Sequence, residues 1–282
     1  MSEGRPIEFH AADGTPLAGV VYGDGGPPVL MAGALGVPQR FYAAFCSWLA
    51  ARGRRVMSFD PRGIGASLRG SLRHVRGDML TWAREDFAAA VRCLAPAGSV
   101  SVIGHSLGTH HAAMTHAATQ ALIGHVVSVA AGAGYWRDWA TPSRRAAPLM
   151  LHVAGPLLTP LFGYFPGRRL GMVGNLPAGV MAQWSRWCRH PGFAWGAEPD
   201  AVRLSLDAAR FRITALAFGD DEAMTESCTR QLLAALPNAP STLQLLQPVD
   251  VGLRRIGHLG AFRRENGPAL WPLLAQAVEQ QD

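Results

Sequence analysis

Short apolar runs that alternate with longer amphipathic stretches constrain the fold of this chain more than any other feature. The runs VSVIG (100–104) and VVSVAA (126–131) lack the polar alternation of a half-exposed strand. Strands buried on both faces of a parallel sheet have this composition. The pattern predicts an α/β fold with a doubly wound, mostly parallel sheet and an antiparallel hairpin across 12–14 at its edge. Predicted strands are 7–10, 17–22, 29–33, 55–60, 99–104, 125–131, 212–219 and 243–247; predicted helices are 40–52, 79–94, 107–122, 225–236 and 268–279.

One stretch between two late strands breaks this rhythm. Residues 133–199 are crowded with Pro and Gly and hold five of the eight tryptophans: Trp136, Trp139, Trp184, Trp187 and Trp195. A long insertion at such a place often covers a site. We therefore predict a core at 1–132 and 200–282 with a helical cap at 133–199. Its apolar part (148–165) is expected to pack on the core or line an apolar pocket, with a membrane-surface role as the alternative.

Composition excludes several classes of protein. The 282 residues are 49% hydrophobic and 16% charged, which is globular rather than disordered. No uninterrupted apolar run reaches the length of about 18 residues that indicates a spanning helix, so no integral membrane association is predicted. The first twenty residues lack the apolar block of a signal peptide. The four cysteines form no C-x-x-C motif, which favours reduced thiols and a cytoplasmic location.

The basic charge does not indicate a nucleic-acid partner. The net charge is +6, and the printed sequence shows that all 26 basic residues are arginines, scattered as single residues and short pairs. No basic run, zinc-finger spacing or aromatic-interleaved RNA motif accompanies them. His105, His110, His111 and His116 cluster along the chain but lack the H-E-x-x-H spacing of a metal site. The sequence therefore predicts neither a metal nor an organic cofactor.

The segment Gly104-His105-Ser106-Leu107-Gly108 carries the strongest functional signal. It fits G-x-S-x-G, follows a predicted strand and opens a predicted helix. In a nucleophile elbow the chain turns so tightly that the neighbouring residues are small, and the serine lies at the helix N-terminus. There the helix N–H groups and dipole stabilise a developing oxyanion. The sequence predicts Ser106 as a catalytic nucleophile.

A serine hydroxyl needs a base within hydrogen-bond reach, and the base needs an acid to orient it. In chains with this kind of elbow, the acid follows the serine in sequence and the histidine follows the acid. His258 lies between glycines after the last predicted strand and is the predicted base; His152 and His190 lie inside the predicted cap. After the strand ITALAFG stand three carboxylates, Asp220-Asp221-Glu222. We predict Asp221 as the acid, with Asp220 as the alternative.

The oxyanion requires backbone N–H donors. The turn after the third predicted strand, Met31-Ala32-Gly33-Ala34-Leu35-Gly36, is rich in glycine, which lets backbone N–H groups approach a substrate oxygen. The predicted donors are the N–H groups of Ala34 and Leu107.

Four segments together resemble the α/β-hydrolase superfamily: residues 31–67, GHSLG (104–108), FGDDE (218–222) and GHLGAF (257–262). The similarity is greatest to uncharacterised bacterial hydrolases related to the serine aminopeptidase and monoglyceride lipase families. It implies Ser106, Asp221 and His258 as a catalytic triad, and Ala34 and Leu107 as the oxyanion hole. Two positions depart from the family pattern: Ala32-Gly33 replaces the usual His-Gly, and Thr109 stands where a second glycine is common.

The sequence thus predicts a serine hydrolase that acts on acyl esters or amides through an acyl-enzyme. An acyltransferase on the same fold and a non-catalytic binding protein remain the alternatives. The expected partner is a small acyl substrate. Carboxylesterase, lipase, aminopeptidase and thioesterase are not separable, because they share the triad. The sequence does not define the oligomeric state.

Overall fold

A computed structural model describes residues 3–171 and 174–279 of the chain. The outer ends of the predicted core, 1–2 and 280–282, and two residues of the predicted cap, 172–173, lie outside the described residues. All eight predicted strands are present, and their ends differ by no more than two residues from the prediction. The strands are β1 Arg5–His10, β2 Pro16–Tyr22, β3 Pro28–Ala32, β4 Arg55–Asp60, β5 Val100–His105, β6 Ile123–Val129, β7 Tyr164–Phe165, β8 Leu176–Pro177, β9 Arg212–Phe218 and β10 Ser241–Leu246.

The main sheet has the order β1-β2-β4-β3-β5-β6-β9-β10. The β1–β2 hairpin at its edge is antiparallel, β2 is antiparallel to β4, and the remaining pairs are parallel. This confirms the doubly wound α/β sheet. From β3 the chain continues to β4 on one side and then to β5 on the other, so the carboxyl ends of β3 and β5 meet at a topological switch point. Ligands bind at such a point in open α/β sheets.

Helices cover both faces of the sheet and fill the long connection between β6 and β9. They are α1 Ala43–Ala50, α2 Met79–Thr81, α3 Ala88–Leu94, α4 Leu107–Met114, α5 Ala117–Gln120, α6 Thr141–Leu149, α7 Gly155–Phe162, α8 Ala178–Arg189, α9 Phe193–Ala197, α10 Pro199–Ala208, α11 Glu226–Ala234 and α12 Gly267–Glu279. Two π-helical turns, Trp82–Phe87 and Met150–Ala154, join α2 to α3 and α6 to α7. The 3-10 turns are Gln39–Tyr42, Gly65–Ser67, Leu72–His74, Ala95–Ala97, Trp136–Asp138, Gly167–Leu170, Pro248–Val251, Gly260–Phe262 and Arg264–Asn266.

The helix predicted over 107–122 is interrupted. Thr115 has an extended backbone, with φ −70° and ψ 169°, and ends α4. The side-chain amide of Gln120 donates to the carbonyls of Ala112 and Ala113 at 3.1 and 3.0 Å. These carbonyls lose their helical donors where α4 stops, so Gln120 stabilises the early end of the helix. A helix-period pattern does not reveal a side-chain cap of this kind.

Buried polar groups fix the loop after β4. From the last residue of β4 onwards it reads D-x-R-G-x-G-x-S, over residues 60–67. Gly65 has φ +47°, and a Cβ there would overlap the buried carboxylate of Asp60. The Ser67 hydroxyl donates to the Asp60 carbonyl at 2.5 Å. The Arg62 guanidinium donates to both carboxylate oxygens of Asp86, which is fully buried. These contacts tie the loop to the helices behind the sheet.

Three histidines on either side of the β5–α4 junction, His105, His110 and His111, are buried. Burial, with smaller contributions from neighbouring histidines for His105 and His111, lowers the pKa of His105 to about 3, of His110 to about 4 and of His111 to about 3. The His111 ring packs against Trp82 and Phe87, and neither of its nitrogens has a hydrogen-bond partner among the described residues. No group of three His, Cys, Asp or Glu side chains placed to hold a metal occurs within residues 3–171 and 174–279.

We expect the protein to lose stability as the pH falls from about 6.5 to about 4. In this window the unfolded chain protonates its histidines, whereas the three buried rings stay neutral, so the unfolded state binds more protons. Each ring lowers the free energy of unfolding by up to about 1.4 kcal/mol per pH unit. Urea denaturation at several pH values measures the slope.

His111→Leu is expected to reduce the slope of the free energy of unfolding against pH by up to about 1.4 kcal/mol per pH unit, because it removes one of these three rings. The leucine keeps an apolar side chain against Trp82 and Phe87. His116→Gln removes an exposed imidazole and serves as the control, with the wild-type slope expected. An identical slope in His111→Leu and wild type would contradict the assignment.

Candidate active site

Ser106 occupies a strained turn between β5 and α4. Its backbone has φ +52° and ψ −114°, a region that residues with a side chain rarely adopt. The Ser106 N–H donates to the Val129 carbonyl at 2.8 Å. A Cβ at Gly104 would overlap the backbone of Thr109, and one at Gly108 would overlap the Ala32 carbonyl. The two glycines are therefore what allows the turn.

Thr109, which departs from the family pattern, takes part in the same turn. Its hydroxyl donates to the Gly104 carbonyl at 2.9 Å, and its N–H donates to the Ser106 carbonyl at 3.1 Å. The threonine therefore closes the turn with its side chain.

His258 lies on the loop after β10 and faces Asp221. Its Nδ1 is 2.9 Å from Oδ2 of Asp221, whose side chain is only 1% exposed. Asp221 is held in turn by the N–H groups of Ala223 and Met224, which donate to Oδ1 at 2.7 and 2.9 Å. Because a carboxylate accepts, Nδ1 of His258 donates in this pair. The neutral ring then leaves Nε2 as an acceptor, the state that a general base requires.

The two carboxylates beside Asp221 hold the backbone of the histidine loop. Asp220 accepts the N–H groups of Ile256 and Gly257 at 2.8 and 3.0 Å, and Glu222 accepts the N–H of His258 at 3.0 Å. Burial works to raise the pKa of Glu222, but the N–H groups it accepts and the nearby Arg255 lower it below its usual value. Asp221 therefore lies against the ring, whereas Asp220 binds the main chain.

A buried chain of hydrogen bonds holds His258 from the opposite side. Nε2 of His105 is 2.8 Å from the His258 carbonyl, and Nδ1 of His105 is 2.8 Å from Oη of Tyr42. A carbonyl only accepts, so Nε2 of His105 carries the proton and Nδ1 accepts from Tyr42. Oη of Tyr42 accepts in turn from the Ala34 N–H at 2.8 Å. Sequence reasoning missed Tyr42, and the sequence gives no local signal for its role.

The turn after β3 lies beside the serine because Ala32 and Gly104 are partners in the β3–β5 ladder. The Ala34 N–H has one hydrogen, which it donates to Tyr42, and this does not fit the predicted role of Ala34 as an oxyanion donor. The N–H of the next residue, Leu35, has no acceptor among the described residues. Leu35 and Leu107 both line the cavity next to Ser106.

Ser106 and His258 line one cavity of about 530 Å³. Its walls are mostly apolar, and Glu222 is the one Asp, Glu or Arg among the described lining residues. The β6–β9 connection supplies one wall of the cavity through the side chains of Trp139, Ser143, Ala146, Met150, Trp184 and Phe193. A serine, an acid-oriented imidazole and backbone donors around an apolar space form a set suited to acyl transfer.

We expect Tyr42→Phe to lower the free energy of unfolding by about 1–3 kcal/mol, because the Ala34 N–H and His105 Nδ1 are then buried without partners. Urea denaturation at neutral pH measures the change. Tyr164→Phe is the matched control, since Oη of Tyr164 has no hydrogen bond within the described part of the chain. Equal stability of the two variants would contradict the proposed hydrogen-bond chain.

The comparisons with known proteins agree with this architecture. No curated protein matches the chain in sequence. Among solved structures, DcsB in complex with its substrate analogue is 17% identical, with a TM-score of 0.63 over 99% of this chain and 100% of that chain. An esterase from Exiguobacterium antarcticum is 17% identical, with a TM-score of 0.59 over 97% and 99%. The thioesterase domain from the curacin biosynthetic pathway is 15% identical, with a TM-score of 0.56 over 99% and 99%.

These identities are low, so the likeness of the structures shows the fold alone. The family model described as "Alpha/beta hydrolase family" matches residues 17–267, which is most of the chain and includes the serine turn, the carboxylate row and the histidine loop. The chain therefore belongs to the alpha/beta hydrolase family.

Proposed function

We propose that this protein hydrolyses carboxylic esters or amides through an acyl-enzyme on Ser106. The observation that carries the proposal is that the strained Ser106 turn and the Asp221-oriented His258 line the same apolar cavity. A binding protein would not need a serine held in a costly backbone conformation together with an oriented imidazole.

In the first step, Nε2 of His258 takes the proton of the Ser106 hydroxyl while Oγ attacks the substrate carbonyl carbon. Asp221 keeps the ring in the required tautomer and stabilises the imidazolium. The tetrahedral oxyanion is bound by the Leu107 N–H and a donor from the turn after β3. The hydrogen bond between Ala34 and Tyr42 favours Leu35 over Ala34 as that second donor.

Collapse of the intermediate breaks the bond to the leaving group, which takes the proton from His258. The carboxylic acyl group then remains on Ser106. In the second step, His258 takes a proton from water, and the resulting hydroxide equivalent attacks the acyl carbonyl. The acid leaves, and the Ser106 hydroxyl is restored with the proton from His258. No atom outside the chain, the substrate and water is required.

The walls of the cavity favour an uncharged acyl or aromatic substrate. Trp139, Trp184 and Phe193 line it, and no arginine is among its described lining residues. An anionic group of a substrate would lose its hydration there without an arginine to pair with. As part of this proposal, residues 133–199 act as a cap over the core of 1–132 and 200–282, since they supply much of the cavity wall.

A cytoplasmic location belongs to the same proposal. All four cysteines are free, and Cys46, Cys188 and Cys228 are buried. Free thiols are typical of a reducing compartment.

Hydrolysis of p-nitrophenyl butyrate by Ser106→Ala and Ser143→Ala tests the function. Both serines line the cavity, but only Ser106 is the proposed nucleophile. We expect Ser106→Ala to lose roughly 10⁴-fold or more in kcat/KM and Ser143→Ala to retain most of its activity. Equal activity of Ser106→Ala and wild type, or no ester hydrolysis by folded wild type, would contradict the proposal.

The acid is tested by paired amide substitutions. Asp221→Asn is expected to lower kcat roughly 10⁴-fold, because an amide cannot fix the tautomer or stabilise the imidazolium. Asp220→Asn is the matched control, since it keeps an acceptor for the Ile256 or Gly257 N–H; we expect a loss of no more than about tenfold. The reverse order of the two variants would assign the acid to Asp220.

A further inference from the structure

One face of the connection between β6 and β9 exposes an apolar stripe. α6, the π-helical turn and α7 form a continuous helical stretch over 141–162. Leu149, Val153, Leu157 and Leu161 follow one another at intervals of four residues and are 66%, 43%, 63% and 72% exposed. Residues spaced by four share one side of a helix. They are four of the eight large apolar side chains that are exposed within the described residues.

Residues 139–197 of the same connection carry a charge equal to the net charge of the whole chain. Residues 139–197 contain six arginines and no Asp or Glu, whereas the remaining 20 arginines equal the 20 acidic residues of the chain. Arg144 and Arg145 are exposed in the first half of the stretch, and Arg168 and Arg169 are exposed just beyond it. The Arg169 guanidinium lies 5.6 Å from the Phe162 ring, which places it beside the C-terminal end of the stripe. None of these four arginines has an ion-pair partner in the described part of the chain.

The same helical stretch also contributes to the candidate active site. Ser143, Ala146 and Met150 of its first half line the cavity, and Met150 is buried. The first half of the stretch therefore forms part of the cavity wall, and the exposed stripe begins beside it at Leu149 and continues along the second half. Leu170, 42% exposed, precedes two glycines of the cavity lining, Gly171 and Gly174.

We propose that this face docks on the surface of an anionic phospholipid bilayer, with the leucine stripe at the level of the acyl-chain boundary and the arginines among the headgroups. Interfacial helices of this kind combine an apolar face with basic residues that anionic headgroups attract. An acidic partner protein would match the arginines alone, whereas the bilayer matches both the charge and the stripe. This binding is separate from the proposed hydrolysis. The chain has no helix among its described residues that is long and apolar enough to span a membrane, so the binding is peripheral.

Co-sedimentation with sucrose-loaded vesicles tests the proposal. We expect the full chain to bind vesicles of equal parts phosphatidylglycerol and phosphatidylcholine at least about tenfold more tightly than pure phosphatidylcholine, and less tightly at high salt. Leu157→Ser/Leu161→Ser and Arg168→Ser/Arg169→Ser are each expected to weaken binding to the anionic vesicles about tenfold.

Two matched controls carry the same changes elsewhere. Leu204→Ser/Val249→Ser removes two apolar side chains that are each 79% exposed, and Arg92→Ser/Arg264→Ser removes two exposed arginines outside the segment. Both are expected to bind like wild type. Thermal denaturation verifies folding, and hydrolysis of a soluble ester by Leu157→Ser/Leu161→Ser is expected to match wild type, so that failure of docking and failure of the proposed function are distinguishable.

Three results would overturn the proposal. Folded wild type could fail to bind anionic vesicles, or the control pairs could lose as much binding as the stripe pairs. Sedimentation velocity could show a wild-type dimer that Leu157→Ser/Leu161→Ser abolishes while vesicles bind no protein. That last result would assign the face to a second copy of this chain.

Discussion

The His258 loop lies outside the sheet, and the geometry of the candidate site depends on the hydrogen bonds that hold it. Asp221 binds the ring, its neighbours Asp220 and Glu222 bind the loop backbone, and His105 binds the carbonyl from the other side. Burial keeps His105 neutral, so it can donate through Nε2 while accepting through Nδ1. Since His105 directly precedes Ser106, the same residue couples the serine turn to the base.

The parts of this arrangement that follow from local patterns could be predicted from the sequence. The buried strands are recognisable as apolar runs. Ser106 is recognisable by the two glycines that its tight turn requires, and His258 by its position on the loop after the last strand. The sequence could not separate Asp220 from Asp221, because three adjacent carboxylates differ only in what they meet 36 or 37 residues later. The roles of Tyr42 and of the Ala34 N–H depend on contacts between different elements and carry no local signal. The helix break at Thr115 is missed for another reason: the cap is the side-chain amide of Gln120, eight and seven residues after the carbonyls of Ala112 and Ala113, and a helix-period pattern carries no sign of it.

The fold shows where the excess positive charge of the chain lies. Along the sequence the arginines look scattered, and the net charge of +6 suggests no partner. In the structure, residues 139–197, whose six arginines match the net charge, include the exposed leucine stripe and part of the cavity wall. A surface that would be unfavourable in water alone is thus placed over the site where an apolar substrate is proposed to react. Binding at a lipid surface and hydrolysis of apolar esters would then both use this one helical stretch.

The proposed reaction depends on activation of Ser106 by its surroundings. Intact-mass analysis after incubation with a fluorophosphonate tests this most directly, because such reagents form a stable adduct with an activated serine and require no knowledge of the substrate. We expect a single adduct on wild type and on Ser143→Ala, located on the peptide that contains Ser106, and none on Ser106→Ala. A folded wild type without an adduct, or with an adduct on another residue, would contradict it.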